Sequence, residues 1–405
     1  MRLWSAQTIS QVGSQITLLA LPLAAIGLDA SAFEVALLGA IEVAPWLLFS
    51  LPVGAWVDRV LRKPILVAAD VGRALVLLSV PLAYGLDVLT IWQLYAVGFV
   101  TGVLTVFFDV AYQSYLPSLV QRSQLEEGNS KLEISRSGAQ FAGPGLGGAL
   151  VDLFTAPVAI VADALSFLGS AACLARIERE EHLDARAAQR ARLIVEIREG
   201  LGFVARNPYL RPSMAYVAVF NFFSNVMFAI FLVYAVRRLD LSPAAIGLVF
   251  AIGNVGFLVG AFLAPRVSAR LGVGSTLIGS AAVAGFGLFL IPLAPPSNAI
   301  PFLIAEGVIV EFAIVLYNVT GISLFQAITP DRLLGRMNAS RRFVVWGVLP
   351  LGSLAGGALA ASIGLRETLF VGAAGASLGF LPLLLSPLRS VERIPEVSEA
   401  VLDRA

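Results

Sequence analysis

The feature that most limits how this chain can fold is the recurrence of about twelve apolar stretches, each near the ~20 residues that a helix needs to cross hydrocarbon. Inside a bilayer every backbone N–H and C=O must be satisfied within the protein, and uninterrupted runs of this length do so as α-helices. Set against breakers and charges, the spans are expected at 3–28, 33–56, 64–84, 89–113, 130–152, 156–176, 210–236, 243–264, 275–294, 299–323, 338–363 and 367–388. Of the 405 residues 58% are hydrophobic and 14% charged, against roughly half and a quarter in soluble domains, so no room is left for a large water-soluble domain. The expected fold class is all-α integral membrane, with 12 transmembrane helices. The first stretch begins at Leu3 without a small-residue cleavage site, and it is expected to stay as the first span.

The net charge of +1 decides nothing, but the placement of the basic residues does. Arg237, Arg238 and Arg366 fall in loops on one side and Arg73 lies within span 3, while the remaining 24 of the 28 Lys and Arg lie on the other side. The positive-inside rule makes that basic side cytoplasmic, together with both termini. A single cysteine, Cys173, and a single histidine, His182, exclude a disulfide framework and a Cys/His metal cluster, and no cofactor is expected. Enzymatic chemistry is also missing: no span carries a histidine, and neither Lys63 nor Lys131 completes a phosphate-binding loop. An enzyme and an ATP-driven pump are therefore set aside.

The longest polar segment joins spans 6 and 7, and in it Leu193, Ile194, Ile197, Leu201 and Val204 recur at helical spacing. It reads either as an amphipathic helix on the membrane surface or as a solvated linker. The expected organisation is a six-helix bundle over 1–176, a cytoplasmic linker over 177–209, a second six-helix bundle over 210–388 and a cytoplasmic tail over 389–405. The halves share markers. Gly54-Ala55-Trp56-Val57 answers Gly260-Ala261-Phe262-Leu263 at an offset of 206, and Asn129 with Gly147-Gly148-Ala149-Leu150 answers Asn338 with Gly356-Gly357-Ala358-Leu359 at an offset of 209. Two parallel pseudo-repeats with a site between them suit alternating access.

The loop after span 2, Gly54-Ala55-Trp56-Val57-Asp58-Arg59-Val60-Leu61-Arg62-Lys63, resembles the G-x-L-A-D-R-x-G-R-K signature of the major facilitator superfamily (MFS), with Trp56 for the usual leucine and Leu61 for the second glycine. In span 5, Gly143-Pro144-Gly145-Leu146-Gly147-Gly148 resembles the G-P-x-x-G-G element of that superfamily's proton-driven exporters. Tyr115-Leu116-Pro117, Ala164-Leu165-Ser166-Phe167 and Thr329-Pro330-Asp331-Arg332-Leu333-Leu334-Gly335-Arg336 are similar to the branch of enterobactin exporters and macrolide efflux pumps. The resemblance covers nearly the whole chain and implies a major facilitator fold in a bacterial inner membrane, working as a monomer. It also implies a conformational latch of Gly54, Asp58, Arg59 and Arg62, with Asp109 of span 4 as the second acid. Gly143, Pro144, Gly147 and Gly148 would form the export motif, Pro144 kinking its helix and the glycines permitting close contact.

A charge in hydrocarbon is costly, so acids inside spans need a partner, a water-filled cavity or a proton. Glu42, Asp70, Asp109, Asp163, Glu306 and Glu311 are such acids, and Arg73 is the only deep base. Asp70 and Arg73, three apart, are expected to pair along one helix face. Asp163 lies on span 6, peripheral in this superfamily, and is expected to serve packing or a hydrogen bond. Glu311 is expected to carry the proton, with Glu42 as the second choice. Spans 1, 4, 7 and 10 line the cavity in the superfamily, which makes Gln11, Gln15, Asn221, Asn225 and Asn318 cavity residues; the same amides serve equally well as glue between helices. The expected function is secondary active export of an amphipathic small molecule, drug-like, macrolide-like or siderophore-like, by proton antiport. The alternatives are a proton-coupled nutrient importer and a non-transporting membrane sensor on the same fold.

The charge asymmetry generates a topology prediction. In a protein freed of Cys173, cysteines introduced at Asp29, Asp87 and Arg366 will react with an impermeant thiol reagent added outside cells, and those at Arg59, His182 and Arg266 will not. Reversed labelling overturns the orientation.

Overall fold

The computed structural model of the protein describes residues 2–57, 59–119, 125–178 and 201–393. Apart from turns and two short 3-10 segments it is α-helical, with no strand among the described residues. The first six spans are α1 (Arg2–Gly27), α2 (Ala32–Val57), α3 (Arg62–Gly85), α4 (Ile91–Leu119), α5 (Leu125–Leu153) and α6 (Ala156–Ala175). Span 7 is α7 (Leu210–Arg237); span 8 is divided into α8 (Pro243–Gly253) and α9 (Val255–Leu271), and span 9 into α10 (Val273–Gly287) and α11 (Leu290–Leu293). Span 10 is α12 (Ala299–Ile328), span 11 is α13 (Asp331–Ile363), and span 12 is divided into α14 (Leu365–Leu378) and α15 (Leu381–Leu384).

Among the described residues 11 helical stretches are long and apolar enough to cross a membrane. The remaining expected span, α5, has the length at 29 residues but not the hydropathy, because its membrane part is a Gly-Pro-Gly-rich run flanked by Ser137 and Gln140. Its glycines serve helix contacts, as described below.

The structure falls into two compact units, Met1–Ala191 with Ala235–Ala251, and Arg192–Tyr234 with Ile252–Ala405. In the first, α1 packs on α5 and α6, α2 on α4, and α3 on α4 and α6. In the second, α9 packs on α12, and α10 on α12 and α14. Spans 8, 9, 10 and 12 thus pair as spans 2, 3, 4 and 6 do, and these are the two parallel pseudo-repeats that the sequence markers required.

A further sign of the repeat lies in the turns. Asp29 (φ 57), Asp87 (φ 54) and Asp240 (φ 53) occupy the left-handed region just past α1, α3 and α7, a conformation that Asp tolerates better than most side chains. Beyond them the chain closes back onto the helix, with Ala30 N–H donating to Ala25 O at 3.2 Å, Val88 N–H to Ala83 O at 2.9 Å and Leu241 N–H to Ala235 O at 3.0 Å. Two residues after Asp29 and after Asp240 a serine caps the next helix: Ser31 Oγ accepts from Glu34 N–H, and Ser242 Oγ from Ala245 N–H, each at 3.2 Å. Glu34 completes a capping box by accepting from Ser31 N–H at 2.7 Å.

Of the expected linker, residues 179–200 with His182 lie outside the described residues, as do Leu193, Ile194 and Ile197. Residues 201–206 are helical and Val204 is buried. After α15 the chain turns back onto the start of α10, where Val273 N–H donates to Glu392 O at 3.1 Å and Gly274 N–H to Val391 O at 2.8 Å. The tail beyond 393 is outside the described residues.

Candidate transport site

The Gly143–Gly148 motif presents two faces of α5. Gly143 and Gly147, one turn apart, lie against α1: a Cβ at Gly143 would be 2.8 Å from Gln15 Cγ, and one at Gly147 would be 3.1 Å from Ile16 Cα. Pro144 and Gly148 lie against α8 within the first unit. A Cβ at Gly148 would strike the Pro243 carbonyl oxygen and sit 3.0 Å from Gly247 Cα; one at Gly247 would strike the Pro144 carbonyl oxygen and sit 3.0 Å from Gly148 Cα. The two backbones meet here with no side chain between them. Nearby, Arg237 Nη2 donates to Ala30 O at 2.8 Å and ties the end of α7 to the turn after α1.

Of the expected latch, most residues are described. Asp58 lies outside the described residues. A Cβ at Gly54 would meet nothing within 4 Å among them. Arg59 is exposed in the turn after α2, its N–H donating to Trp56 O at 3.0 Å, and Arg62 is buried at the start of α3. Lys63 Nζ donates to Ile177 O at 2.6 Å, pinning this loop to the chain that leaves α6. Asp109 is half-buried on α4, and the charged groups acting on it are Arg73, Arg136 and Asp70. Arg136, placed by sequence near a span end, is thus an electrostatic partner of a span acid. Arg341, also placed near a span end, acts on Tyr317, whose hydroxyl donates to Ser213 O at 3.4 Å.

Of the cavity amides, Gln11 and Gln15 are half-buried on α1, and Gln15 packs over Gly143 as described. Asn221 Nδ2 donates to Val217 O at 2.7 Å on its own helix. Asn225 Nδ2 donates to Leu349 O and to Ser353 Oγ, the latter at 2.7 Å, so both of its N–H groups are spent on tying α7 to α13. For Asn225 the gluing role is the observed one, and only its carbonyl oxygen is left to offer. Asn318 is exposed on α12, on the same face as Glu311.

Glu42 is half-buried on α2 and lies over α4, where Gly98 and Gly102 make room for it: a Cβ at Gly98 would be 3.0 Å from Glu42 Cγ. Glu311 is half-buried on α12. No hydrogen bond or ion pair of either carboxyl is found among the described residues, and burial alone acts on both. Glu306 lies close enough to Glu311 to feel its charge, although five residues separate them. Opposite them the α8–α9 break falls at Asn254, and Gly253 and Gly307 are in mutual backbone contact, a Cβ at Gly253 lying 3.1 Å from Gly307 Cα. Asp70 and Arg73 form the buried i,i+3 ion pair that their spacing requires.

Eleven apolar spans in two units of matching helix pairing, with acids inside spans that have no ion-pair partner, all among the described residues, define a multi-pass membrane transport protein rather than an enzyme. The chain belongs to the major facilitator family described as transmembrane secretion effectors, whose model matches residues 1–403. It is 26% identical over 372 residues to the multidrug efflux pump Tap of Mycolicibacterium fortuitum, covering 88% of each chain. It is 22% identical over 380 residues to macrolide efflux protein A of Streptococcus pyogenes, covering 90% of each. With the MFS-type transporter YfiS of Bacillus subtilis (strain 168) it shares 27% identity over 269 residues, which span 66% of this chain and 63% of that protein. A bacterial homologue of the iron transporter ferroportin, solved in an inward-facing state, has the same fold at a TM-score of 0.74 and 16% identity, over 95% of this chain and 97% of that one.

The glycine geometry separates two substitutions of identical chemistry. Gly148→Ala puts a methyl group into the Pro243 backbone and is expected to cost about 1–3 kcal/mol, as overpacking does. Gly54→Ala meets open space and is expected to stay within about 0.5 kcal/mol or to gain helix propensity. Thermal unfolding of the two purified variants in one detergent checks the order; equal loss at both positions overturns the close-contact assignment.

Proposed function

We propose that this protein is a secondary active exporter that expels an amphipathic small molecule, drug-like, macrolide-like or siderophore-like, in exchange for protons by alternating access. The observation that carries export is the match to efflux pumps along nearly the whole chain. Coupling to protons is supported by Glu42 and Glu311, acids within spans on which no cation acts among the described residues. Inward movement of one proton supplies about 2.3 kcal/mol per 100 mV and about 1.4 kcal/mol per pH unit, enough for a concentration ratio well above tenfold.

In this reading Glu311 is the principal proton carrier, with Glu306 beside it setting the local charge and Glu42 serving the first unit. Gln11, Gln15, Asn221, Asn318 and the Asn225 carbonyl supply polar contacts to substrate. Asp58 with Arg59, Arg62 and Asp109 biases the conformational equilibrium from the cytoplasmic rim. The termini, the linker and the basic loops face the cytoplasm, the protein works as a monomer in the bacterial inner membrane, and its partners are lipid, protons and substrate. Domain limits follow the two repeats, 1–176 and 210–388, joined by 177–209 and followed by 389–405. A drug-susceptibility screen in a pump-deficient bacterium, followed by flux in proteoliposomes, tests the reading as a whole.

Two variants test its parts. Glu311→Gln will lose proton-driven uphill export by tenfold or more while substrate counterflow survives; retained uphill export with unchanged pH dependence in a folded protein removes Glu311 from coupling. Asp58→Asn will impair export with substrate binding intact and will raise the inward-facing population, because the contact acts on an equilibrium between two states. Distance measurements across the cytoplasmic rim that show no change in population remove the latch.

A further inference from the structure

The first unit buries a carboxyl for which the transport reading has no use. Asp163 on α6 is 1% exposed and faces α1, where a glycine provides the space for it. A Cβ at Gly13 would strike Asp163 Oδ1 and Ser166 Oγ and would lie 2.7 Å from Ser166 Cβ. One turn further along α1 the Thr17 hydroxyl donates to Asp163 Oδ2, and on α6 Ser166 Oγ donates to Oδ1 at 3.1 Å. The carboxyl therefore fills a fitted notch between two helices, both oxygens are held by neutral hydroxyls, and it forms no ion pair among the described residues.

A cation waits beside this notch. Arg73 of α3 is 4% exposed, donates through Nη2 to Asp70 Oδ1 and lies with Nη1 3.5 Å from Thr105 Oγ1. Its guanidinium carbon is 4.0 Å from the ring centre of Phe167, one turn from Asp163 on α6, and 4.5 Å from that of Phe108. Among the described residues the Arg73 Nε–H has no hydrogen-bond partner, while the Ser170 hydroxyl of α6 lies within reach of the fully buried Asp70 carboxylate. On the elements packed against α6, the charged groups acting on Asp163 are Arg73 and Asp70 of α3; α1 brings Thr17 and no titratable side chain at that depth, and none on α5 acts on it. Asp109 of α4, with Arg136, shares the field of the same guanidinium. Arg73 and Asp70 neutralise each other, so an ionised Asp163 held only by hydroxyls would be an unpaired charge at a dry helix interface.

We propose that Asp163 is a proton-binding site of the first bundle and that Arg73 is the group with which the proton exchanges. Protonated, Asp163 is held by Thr17 and Ser166 and leaves Arg73 to Asp70. Deprotonated, it takes the vacant Nε–H of Arg73, which draws α6 toward α3 and loosens its hold on α1. The proton arrives from water, forms the carboxyl O–H bond and returns to water; no other bond is made or broken. Because α1 carries Gln11 and Gln15, the exchange is delivered to the helix expected to face substrate. That use in transport rests on the antiport reading, whereas the proton binding does not.

The test is an infrared pH titration of the full-length protein in lipid nanodiscs, without substrate, following the carbonyl stretch of protonated carboxylic acids. We expect a band that titrates in the wild type and in Glu311→Gln and is lost in Asp163→Asn, which keeps the shape of the neutral acid. Arg73→Lys keeps Asp163 but cannot offer the Nε–H, and will move the midpoint of that band by on the order of one pH unit, a tenfold change in proton affinity. A titrating band that is unchanged in Asp163→Asn, or unmoved in Arg73→Lys should Asp163→Asn fail to fold, overturns the proposal. If the Asp163 band titrates but proteoliposomes show no proton-driven flux, the antiport reading falls and the site stands; if export is proton-driven and no Asp163 band is found, the site falls and the antiport reading stands.

Discussion

Helices in hydrocarbon gain nothing by hiding apolar surface from one another, since lipid tails are equally apolar, so backbones that approach closely are what holds this fold together. Glycine decides where that happens. Gly253 on Gly307, Gly256 on the Val308 carbonyl and Gly260 on the Phe312 backbone stitch span 8 to span 10. Gly148 on Gly247 does the same for α5 and α8. The notches that admit backbone also admit polar groups: Gln15 lies over Gly143, Glu42 over Gly98, and the Asp163 carboxyl over Gly13. Cohesion and the burial of functional side chains thus draw on the same residues.

The repeat shows what each unit did with this device. The Glu42–Gly98 contact in the first unit and the Gly253–Gly307 contact in the second join equivalent places, at offsets of 211 and 209 residues. The first unit keeps an acid on span 2 where the second has glycine, and the second has Glu311 on span 10 where the first has Gly102, again an offset of 209. Architecture was preserved while the carboxyl changed helix. Asp58, the acid of the proposed latch, is answered at an offset of 206 by Ala264, a fully buried residue of α9.

Spans were legible in the sequence because hydropathy follows directly from the bilayer, and the i,i+3 pair of Asp70 and Arg73 because helix geometry fixes it. Helix ends were less so. The sequence places the end of span 4 at 113 and the start of span 11 at 338, whereas α4 runs to Leu119 and α13 begins at Asp331. Hydropathy stops at the membrane edge, but backbone hydrogen bonding does not. The break at Asn254 has no proline to announce it; it sits where Gly253 must meet Gly307, a tertiary demand that no local pattern records. Asn225 looked equally suited to substrate and to helix packing because the amide chemistry is the same, and only the position of Leu349 and Ser353 separates the two. The Asp-x-Ser turns at Asp29 and Asp240 were present to be read, at an offset of 211, and reinforce the duplication.

The two units tolerate buried acid by opposite means. In the first, Arg73 sits among Asp70, Asp109 and Asp163, with aromatic rings below and above it, so its one positive charge is divided among more carboxyls than it can neutralise. In the second, the charge of Glu311 acts on Glu306, and no cation is found acting on either among the described residues. A carboxyl without a cation responds to protons alone, whereas one that competes for a shared guanidinium responds to protons and to the position of the helix that carries it. On the proposed exchange, it is the second arrangement that converts a protonation event into a movement of helices. The movement of helices on protonation then starts from α1, α3 and α6 around Arg73 and Asp163, while Glu311 of α12 keeps the coupling role proposed for it.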